Sequence, residues 1–447
     1  MNPELRRNLW LEFSPHRLVA MPAVIALVVV LILATAGQDG HEAIATTAAF
    51  GFIALVMLWG TQLAAASVLD EARARTWDAQ RMSAIGPWAM TWGKLAGAAS
   101  YAWYGGALLL AIFVLVGWGR LALPVARCAM ILVAGAVFLQ AMGLNASVLA
   151  ARKGAAQRNT GGLALVVIAL LLIAPAIGLV SGSQEDITWW HLRITHVDFL
   201  LASVTAYAVW AVLGAYRTMC SELEIRTLPW AFPLFTAFTA VYAAGFAVRG
   251  LLDDADGLLA VLLAGVLVAL AGMYLLLFTE QTGASAWQRL VGRSRGGQWR
   301  RALEEMPVWS VALATGLVFA LAAMLMNLDG GKGVLLREFA HAPLAIALFA
   351  VRDAALFQFF AFAREPRRVE AATLFYLALL YWLVPGLLSA VGATTAVEFF
   401  LPPLLARPGF STVVVAAQAA IAIWLALWRW QQYHAMDRGA AAPGPAA

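Results

Sequence analysis

Long apolar runs alternate with shorter polar segments along the whole chain. Twelve runs reach about 18 residues or more, the length a helix needs to cross the hydrocarbon core of a bilayer. They lie near residues 18–36, 43–66, 95–117, 122–151, 160–181, 195–217, 231–248, 257–279, 307–326, 343–362, 371–392 and 408–429. This pattern predicts an all-α polytopic membrane protein with about 12 transmembrane helices.

The charges between the runs favour one orientation. With the N-terminus placed inside, most of the 30 lysines and arginines fall on the inner side, and the outer segments are net negative. Cytoplasmic loops of membrane proteins are enriched in Lys and Arg. We therefore expect a cytoplasmic N-terminus, and an even number of spans returns the C-terminus to the same side.

The long polar segments indicate two halves of six helices each. One such segment, 69–94, follows the second run, and the other, 280–306, follows the eighth. Six spans is an even number, so the halves, 18–222 and 223–433, are predicted to be parallel repeats. Residues 1–17 are predicted to form an interfacial amphipathic helix and residues 434–447 a disordered tail.

The composition agrees with a membrane location, and its cysteines and histidines do not indicate a disulfide framework or a metal site. Hydrophobic residues make up 62% of the chain and charged residues 12%, about half the share typical of soluble domains. Two cysteines fall on different elements, so buried thiols are expected instead of a disulfide framework. Four histidines lie in outer loops at spacings that do not favour a metal site, and we expect none. These residues are Cys128, Cys220, His41, His191, His196 and His341.

The segment from Leu69 to Gly97 is the most informative polar stretch. No Pro or Gly occurs from Val68 to Ile85, which predicts a cytoplasmic helix, and Gly86-Pro87 then ends it and begins the next one. One interpretation is a docking helix with charged residues on its polar face. The other is a solvated loop whose tryptophans lie at the headgroup level.

Two adjacent charges, Arg352 and Asp353, fall near the middle of the tenth run. Intramembrane charges are costly, so they indicate either a structural ion pair between helices or a polar point on a translocation path. Because adjacent helical residues point about 100° apart, we expect the two not to pair directly. Each should find a partner on a neighbouring helix, or the span should be bent or partly immersed in water.

The sequence gives no convincing motif for catalysis. G-x-x-x-x-G-K-[ST], H-E-x-x-H and C-x-x-C are absent, and the one G-x-S-x-G match, Gly292-Arg293-Ser294-Arg295-Gly296, lies in an arginine-rich polar segment without the apolar strand that this motif needs before it. We therefore expect no enzymatic activity, no catalytic residues and no cofactor in this chain, and no nucleic-acid partner.

Three motifs in the first half resemble type-2 ABC exporter permeases. They are Asn2-Pro3-Glu4-Leu5-Arg6-Arg7 at the N-terminus, the acidic-Arg cluster ending in Arg75-Thr76, and Gly93-Lys94-Leu95 after the Gly86-Pro87 break. The sequence departs from the family at Arg75, where a glycine usually precedes the threonine. The resemblance covers the first six spans well and the last six mainly by layout.

The resemblance implies the membrane subunit of an ATP-driven exporter in the inner (plasma) membrane of a bacterium. A separate cytoplasmic ATP-binding subunit would hydrolyse ATP and dock on coupling segments of this chain. The implied docking residues of the first half are Glu71, Arg73, Arg75, Thr76, Asp78 and Arg81. The corresponding residues between 286 and 305 are Trp287, Arg289 and Arg300. Whether one fused chain suffices or two copies form a homodimer is left open.

Two other classes remain as alternatives. A secondary active transporter driven by an ion gradient also often has twelve spans in two parallel halves. Its usual long middle loop is absent here, since the long loops follow the second and eighth runs. A polytopic membrane enzyme would need an acid–base constellation at one membrane face, and the sequence contains none beyond scattered histidines.

Overall fold

A computed structural model describes residues 2–35, 40–121, 124–152, 186–248, 257–280, 283–328, 342–363, 369–397, 399–400 and 410–440. Within these residues, ten helices are long and apolar enough to cross a membrane. A further apolar helix, Ala231–Ala247, has 17 residues. This is the architecture of a helical, multi-pass membrane protein. The predicted run at 160–181 lies outside the described residues.

The chain divides into two compact units, Met1–Thr227 and Leu228–Ala447. The division, between Thr227 and Leu228, lies five residues from the predicted boundary between the halves at 222/223. Each unit is described by itself below.

Unit 1 contains eight helices and one hairpin among its described residues. They are α1 (Pro3–Glu12), α2 (Pro15–Thr35), α3 (Gly40–Arg73), α4 (Trp77–Arg81), α5 (Pro87–Ala98), α6 (Ser100–Gly117), α7 (Val125–Arg152), strands β1 (Ile187–Trp189) and β2 (Leu192–Ile194), and α8 (His196–Glu222). The strands are antiparallel, with Ile187 opposite Ile194.

Helix boundaries in unit 1 follow from local chemistry. The side chain of Asn2 accepts hydrogen bonds from the first turn of α1, and the Thr195 hydroxyl accepts one from Asp198 N in α8. Pro87 occupies the first turn of α5, with extended Gly86 before it, which confirms the predicted break.

A π-helical segment, Ile53–Trp59, interrupts α3 inside the membrane-spanning part. Such segments leave a carbonyl without its usual helical donor. Here Gln140 of α7 donates its Nε2 hydrogen to the carbonyl of Val56 at 3.0 Å and accepts from Trp103 Nε1 of α6 at 2.9 Å. This buried polar side chain thus links three helices.

Unit 2 contains nine helices among its described residues. They are α9 (Ala231–Ala247), α10 (Gly257–Thr279), α11 (Ala284–Arg295), α12 (Trp299–Glu304), α13 (Val308–Leu328), α14 (Ala342–Ala361), α15 (Val369–Ala390), α16 (Thr394–Val397) and α17 (Phe410–Ala440). A π-helical segment, Leu379–Leu383, lies within α15. Helix α17 continues to Ala440, so the segment predicted as a tail from residue 434 begins as helix.

The two units share one order of helix packing. In unit 1, α3 packs against α6 and α7, and α7 packs against α8; in unit 2, α10 packs against α13 and α14, and α14 packs against α17. In both units the predicted second span therefore contacts the third and the fourth, and the fourth contacts the sixth. The predicted repeat of loop layout is accompanied by a repeat of helix neighbours.

Candidate functional site

The candidate docking segment of unit 1 follows the end of α3. That helix ends at Arg73, whereas the sequence predicts a helix that continues to Ile85. Arg75 has a φ of 57°, and two backbone bonds close the turn: Thr76 N–H donates to Glu71 O, and Arg75 N–H donates to Ala72 O. This is a Schellman motif with Arg75 in the left-handed position that glycine usually occupies. The predicted continuous helix from Val68 to Ile85 is therefore wrong. The break leaves no sign in the sequence, because the left-handed residue is neither Gly nor Asn.

After this turn, the short helix α4 is anchored by Trp77. Its indole is 4% exposed, in a core with Val68, Met90 and Leu144, and its Nε1 donates to Glu222 Oε1 of α8 at 3.3 Å. Arg81, at the other end of α4, donates from Nε to the carbonyl of Glu222 at 3.2 Å. Both ends of α4 are therefore tied to the end of α8.

On the inner side of α4, a buried ion cluster joins α1, α3 and α5. The ammonium of Lys94, 1% exposed, lies 3.4 Å from Glu4 Oε1 and pairs closely with Glu71 Oε2. Arg7 pairs with the same two carboxylates, at 3.4 Å from Glu4 and 3.2 Å from Glu71. Two acids and two bases balance, which is the condition for keeping charges buried.

The cluster also contacts α4 directly. Gln80 donates its Nε2 hydrogen to Glu71 Oε1 at 2.7 Å, and the Lys94 ammonium lies 5.1 Å from the centre of the Trp77 ring. A cation over an indole face is attracted by the ring quadrupole. The position of α4 is thus coupled to the same charges that hold α1.

Two glycines allow α1 to approach α5 this closely. A Cβ at Gly93 would lie 2.5 Å from Glu4 Cβ, and one at Gly97 would lie 2.8 Å from Asn8 Cβ. The amide of Asn8 donates to the carbonyl of Gly93 at 3.2 Å. The buried side of α1 therefore includes Glu4, whereas Trp10 and Leu11 are exposed by 82% and 56%. The predicted apolar face is in part turned towards the protein.

The outer side of the segment is charged and open. Arg73, Arg75, Thr76 and Asp78 are exposed, and Arg73 pairs with Asp70 at 3.0 Å. The guanidinium of Arg75 has no ion-pair partner among the described residues. It lies at a cleft of about 390 Å³ lined by Ala72, Arg75, Trp77, Asp78, Arg81, Ala151 and Glu222.

The predicted docking residues of unit 1 therefore divide into two groups. Glu71 and Arg81 point inward, the first into the ion cluster and the second onto Glu222, 3.6 Å from its carboxylate. Arg73, Arg75 and Asp78 face outward, while the Thr76 hydroxyl donates to the Glu71 carbonyl at 3.2 Å. The sequence interpretation of Arg73, Arg75, Asp78 and Arg81 as one polar helical face is wrong because the turn at Arg75 divides them.

The corresponding segment of unit 2 is also anchored by a tryptophan. Trp287 of α11 donates from Nε1 to Gln358 Oε1 of α14 at 3.2 Å and lies edge-on to Trp309 at 6.0 Å between ring centres. Glu280, after α10, accepts hydrogen bonds from the N–H groups of Val308 and Trp309, both at 3.2 Å, and so caps α13.

The surface of this second segment is rich in arginine. Helix α11 ends in another Schellman turn, here with Gly297 in the left-handed position, and Arg293 pairs with Glu305 across it. Arg289 is exposed, and Arg300, also exposed, pairs with Glu304 at 3.2 Å. Each unit thus carries an anchored segment with outward arginines.

The intramembrane charges of unit 2 form a closed polar cluster. Asp353 Oδ2 accepts hydrogen bonds from the hydroxyls of Tyr274 at 2.7 Å and Tyr381 at 2.8 Å. Arg352 donates from Nη1 to Gln418 Oε1 at 2.8 Å. The cluster connects α10, α14, α15 and α17, and Tyr381 belongs to the π-helical segment of α15.

Arg352 and Asp353 also pair directly, with Nη2 2.9 Å and Nε 3.0 Å from Asp353 Oδ1. The expectation that they do not was wrong because it considered only the directions in which side chains leave the helix. The three methylenes of arginine reach around that angle. The guanidinium then lies 4.6 Å and 4.8 Å from the ring centres of Phe349 and Tyr381.

Sequence reasoning did not assign Glu4, Trp77 and Glu222 to the site. The first two carried a signal: Glu4 is an acid within a predicted interfacial helix, and Trp77 is a large aromatic within a polar segment. Glu222 gave none, because its partners lie more than 140 positions away along the chain.

The described part of the chain gives no candidate metal site. Among the described residues, no three His, Cys, Asp or Glu side chains come together as metal ligands would. His341 lies outside the described residues, and Cys128 and Cys220 are free.

No protein-family model matches the chain, and no curated protein or solved structure is significantly similar to it.

Proposed function

We propose that the chain is the membrane-spanning permease of an ATP-driven transporter, of the type-2 ABC exporter class. Segments 74–85 and 284–305 would face the cytoplasm and dock on a separate ATP-binding subunit. The observation that carries the proposal is the way α4 is held: its inner side contacts α3, α5 and α8, while Asp78 on α4 and Arg73 and Arg75 before it are exposed. A docking element needs both properties.

The contacts of α4 support a role in transmitting force. A push on the outer side of α4 would pass through Trp77 and Arg81 to Glu222 at the end of α8, and through Gln80 to Glu71 and Lys94. Glu71 and Glu222 lie on membrane-spanning helices, and Lys94 lies on α5, which directly precedes the span α6. Motion of a bound ATPase would therefore be delivered to several spans at once.

The charges favour an acidic contact on the partner. Arg73 and Arg75 are exposed beside α4, and Arg289 and Arg300 are exposed in the second segment. Opposite charges across such a surface would speed association and fix its register. Two similar segments in one chain suit two ATP-binding sites, supplied by two ATPase copies or by one fused partner.

In this proposal the chain itself hydrolyses nothing and holds no cofactor, and ATP is bound by the partner. Few charged residues lie within the spans, so a hydrophobic or amphipathic substrate is favoured over an ion. The location follows as the inner membrane of a bacterium, in contact with membrane lipid. The mass of the complex purified in the experiment below would show whether two copies of the chain form a homodimer.

Co-expression with the P-loop ATPase encoded beside this chain tests the proposal. We expect the two proteins to co-purify and ATP turnover to rise several-fold over that of the ATPase alone. Arg73→Glu with Arg75→Glu should remove the stimulation and leave membrane insertion intact. Arg120→Glu, an exposed arginine outside both segments, is the matched control. An ATPase that neither binds nor responds would refute the proposal.

A second candidate, secondary active transport, draws on the cluster around Arg352 and Asp353. Buried ion pairs with tyrosine partners inside a membrane are suited to ion-coupled movement. The test is flux into proteoliposomes that contain this chain alone. Uptake driven by an imposed ion gradient and lost in Asp353→Asn would favour this candidate over the first.

A further inference from the structure

A largely apolar groove of about 460 Å³ lies beneath α1 in unit 1. Its walls come from α1, α5, α6 and α7 and from the residue that follows α1, and we call it the α1 groove. Its lining includes Phe13, Leu95, Ala96, Ser100, Trp103 and Gln140. The volume falls within the ~300–1,000 Å³ range of small-molecule pockets.

One buried polar atom in the α1 groove has no partner. Ser100 is 7% exposed, and its hydroxyl makes no hydrogen bond within the part of the chain that the structure describes. Helical hydroxyls usually bond to the carbonyl four residues earlier, as Thr91 does to Pro87 at 2.8 Å. Ser100 begins α6 directly after the break at Ala99, so that return bond is not made.

Three other polar side chains of the α1 groove are bonded within the protein, and Trp92, the remaining one, is 38% exposed. Gln140 is bonded to Trp103 and to the carbonyl of Val56, and the Tyr104 hydroxyl donates to Leu18 O at 3.0 Å. A buried polar group without a partner is rare and calls for an explanation. Ser100 therefore offers a buried donor that has no partner among the described residues.

The surroundings place the α1 groove near a membrane surface. Helices α6 and α7 are membrane spans, whereas α1 is polar and carries exposed Trp10. Trp88 and Trp92, edge-on at 5.7 Å, are exposed by 51% and 38% at the start of α5. Tryptophans concentrate at the headgroup level, so the groove lies at the depth of glycerol esters and upper acyl chains.

We propose that the α1 groove binds one acyl chain of a membrane phospholipid, with the Ser100 hydroxyl donating a hydrogen bond to the ester carbonyl of that chain. The apolar walls match the alkyl part, and the free donor matches the ester. No lining residue of the groove is charged. A free fatty acid would bring a carboxylate without a cation to meet it, which favours the esterified chain.

Photolabelling of the full chain in lipid nanodiscs tests this proposal. The probe is a diester phosphatidylcholine with a diazirine in one acyl chain, and the labelled residues are mapped by mass spectrometry. We expect excess label on the segment from Trp92 to Tyr104 and on Phe13. Ala96→Trp fills the groove and should lower this label about fivefold. Ala107→Trp, at an exposed alanine of α6 outside the groove, should not.

The hydrogen bond is tested with an ether-linked analogue, which lacks the ester carbonyl. Wild-type chain should take up the diester probe about fivefold better than the ether probe, the worth of one hydrogen bond. Ser100→Ala, which preserves packing, should remove that preference.

Three results would overturn the proposal. They are label spread evenly over exposed spans such as the region of Leu115, equal labelling by ester and ether probes in wild type, and displacement by palmitate at lower concentration than by phospholipid. None of these readouts involves an ATPase, so the proposal stands or falls apart from transport.

Discussion

Replacing Lys94 with methionine keeps most of the side-chain volume but removes the ammonium that lies between Glu4 and Glu71. These carboxylates are exposed by only 3% and 14% at their side chains, so little water can replace the lost partner. Breaking a buried ion pair by removing one partner costs ~3–5 kcal/mol, mostly because the remaining charge is buried without compensation.

The structure favours the lower end of that range. Arg7 stays within 3.4 Å of Glu4 and 3.2 Å of Glu71 in the variant, but its side chain is 44% exposed and solvent weakens its field. We therefore expect Lys94→Met to lower the free energy of unfolding by about 3 kcal/mol. Because Glu4 lies on α1, that helix should also detach before the rest of unit 1 unfolds.

Reversible unfolding in mixed micelles of increasing SDS fraction measures the first effect. The rate of tryptic cleavage after Arg7 measures the second. Adding Glu4→Gln to Lys94→Met should recover at least ~1 kcal/mol, because the double variant has one buried charge fewer to compensate. Arg120→Met, on the exposed surface, should stay within ~0.5 kcal/mol of wild type. Full additivity of the two cluster substitutions would refute the pairing.

Three other substitutions test separate parts of the account. Gly93→Val places a side chain where Glu4 Cβ would be 2.5 Å away, so we expect a loss of ~1–3 kcal/mol and faster proteolysis of α1. Arg75→Gly relieves the left-handed backbone and should raise the unfolding free energy by ~1 kcal/mol while weakening ATPase stimulation. Tyr381→Phe deletes the 2.8 Å bond to Asp353, and its cost in the same unfolding assay should be ~1.5–3 kcal/mol.

Matched controls separate these effects from general disturbance. Gly86→Ala changes a glycine with no atom within 4 Å of the added Cβ and should be near neutral. Arg73→Gly changes the last helical residue of α3 and should destabilise by up to ~1 kcal/mol, opposite in sign to Arg75→Gly. Tyr376→Phe removes a half-exposed hydroxyl from α15 and should have little effect. If a variant and its control changed the free energy of unfolding equally, the structural explanation given for that variant would be refuted.

Local signals predicted the fold class and several boundaries. Apolar length predicts membrane helices, since no other structure satisfies the backbone in lipid, and Gly86-Pro87 predicts the start of α5. Arg75 escaped prediction because an arginine in a left-handed turn has no compositional mark. The cluster of Glu4, Glu71 and Lys94 escaped because its members are up to 90 positions apart.

Parts of the site were nevertheless visible in the sequence. All three motifs that resemble the exporter family meet in the ion cluster: Glu4 comes from the first, Glu71 from the second and Lys94 from the third. Their meeting could not be deduced from spacing, since it depends on α1 folding back onto Gly93 and Gly97. The sequence identified Arg352 and Asp353 as charges that are costly inside a membrane. Their partners could not be predicted, because those partners come from three other helices that pack against α14.

The most direct test of the proposed function is site-specific cross-linking to the proposed ATP-binding subunit. A photoreactive amino acid at Asp78 or at Arg289 should form a covalent adduct with the ATPase, and adduct formation should change when ATP is added. The same group at Arg120, an exposed position outside both segments, should form none. Absence of adducts at both docking positions, or equal yields at Arg120, would contradict the claim that these segments couple the chain to an ATPase.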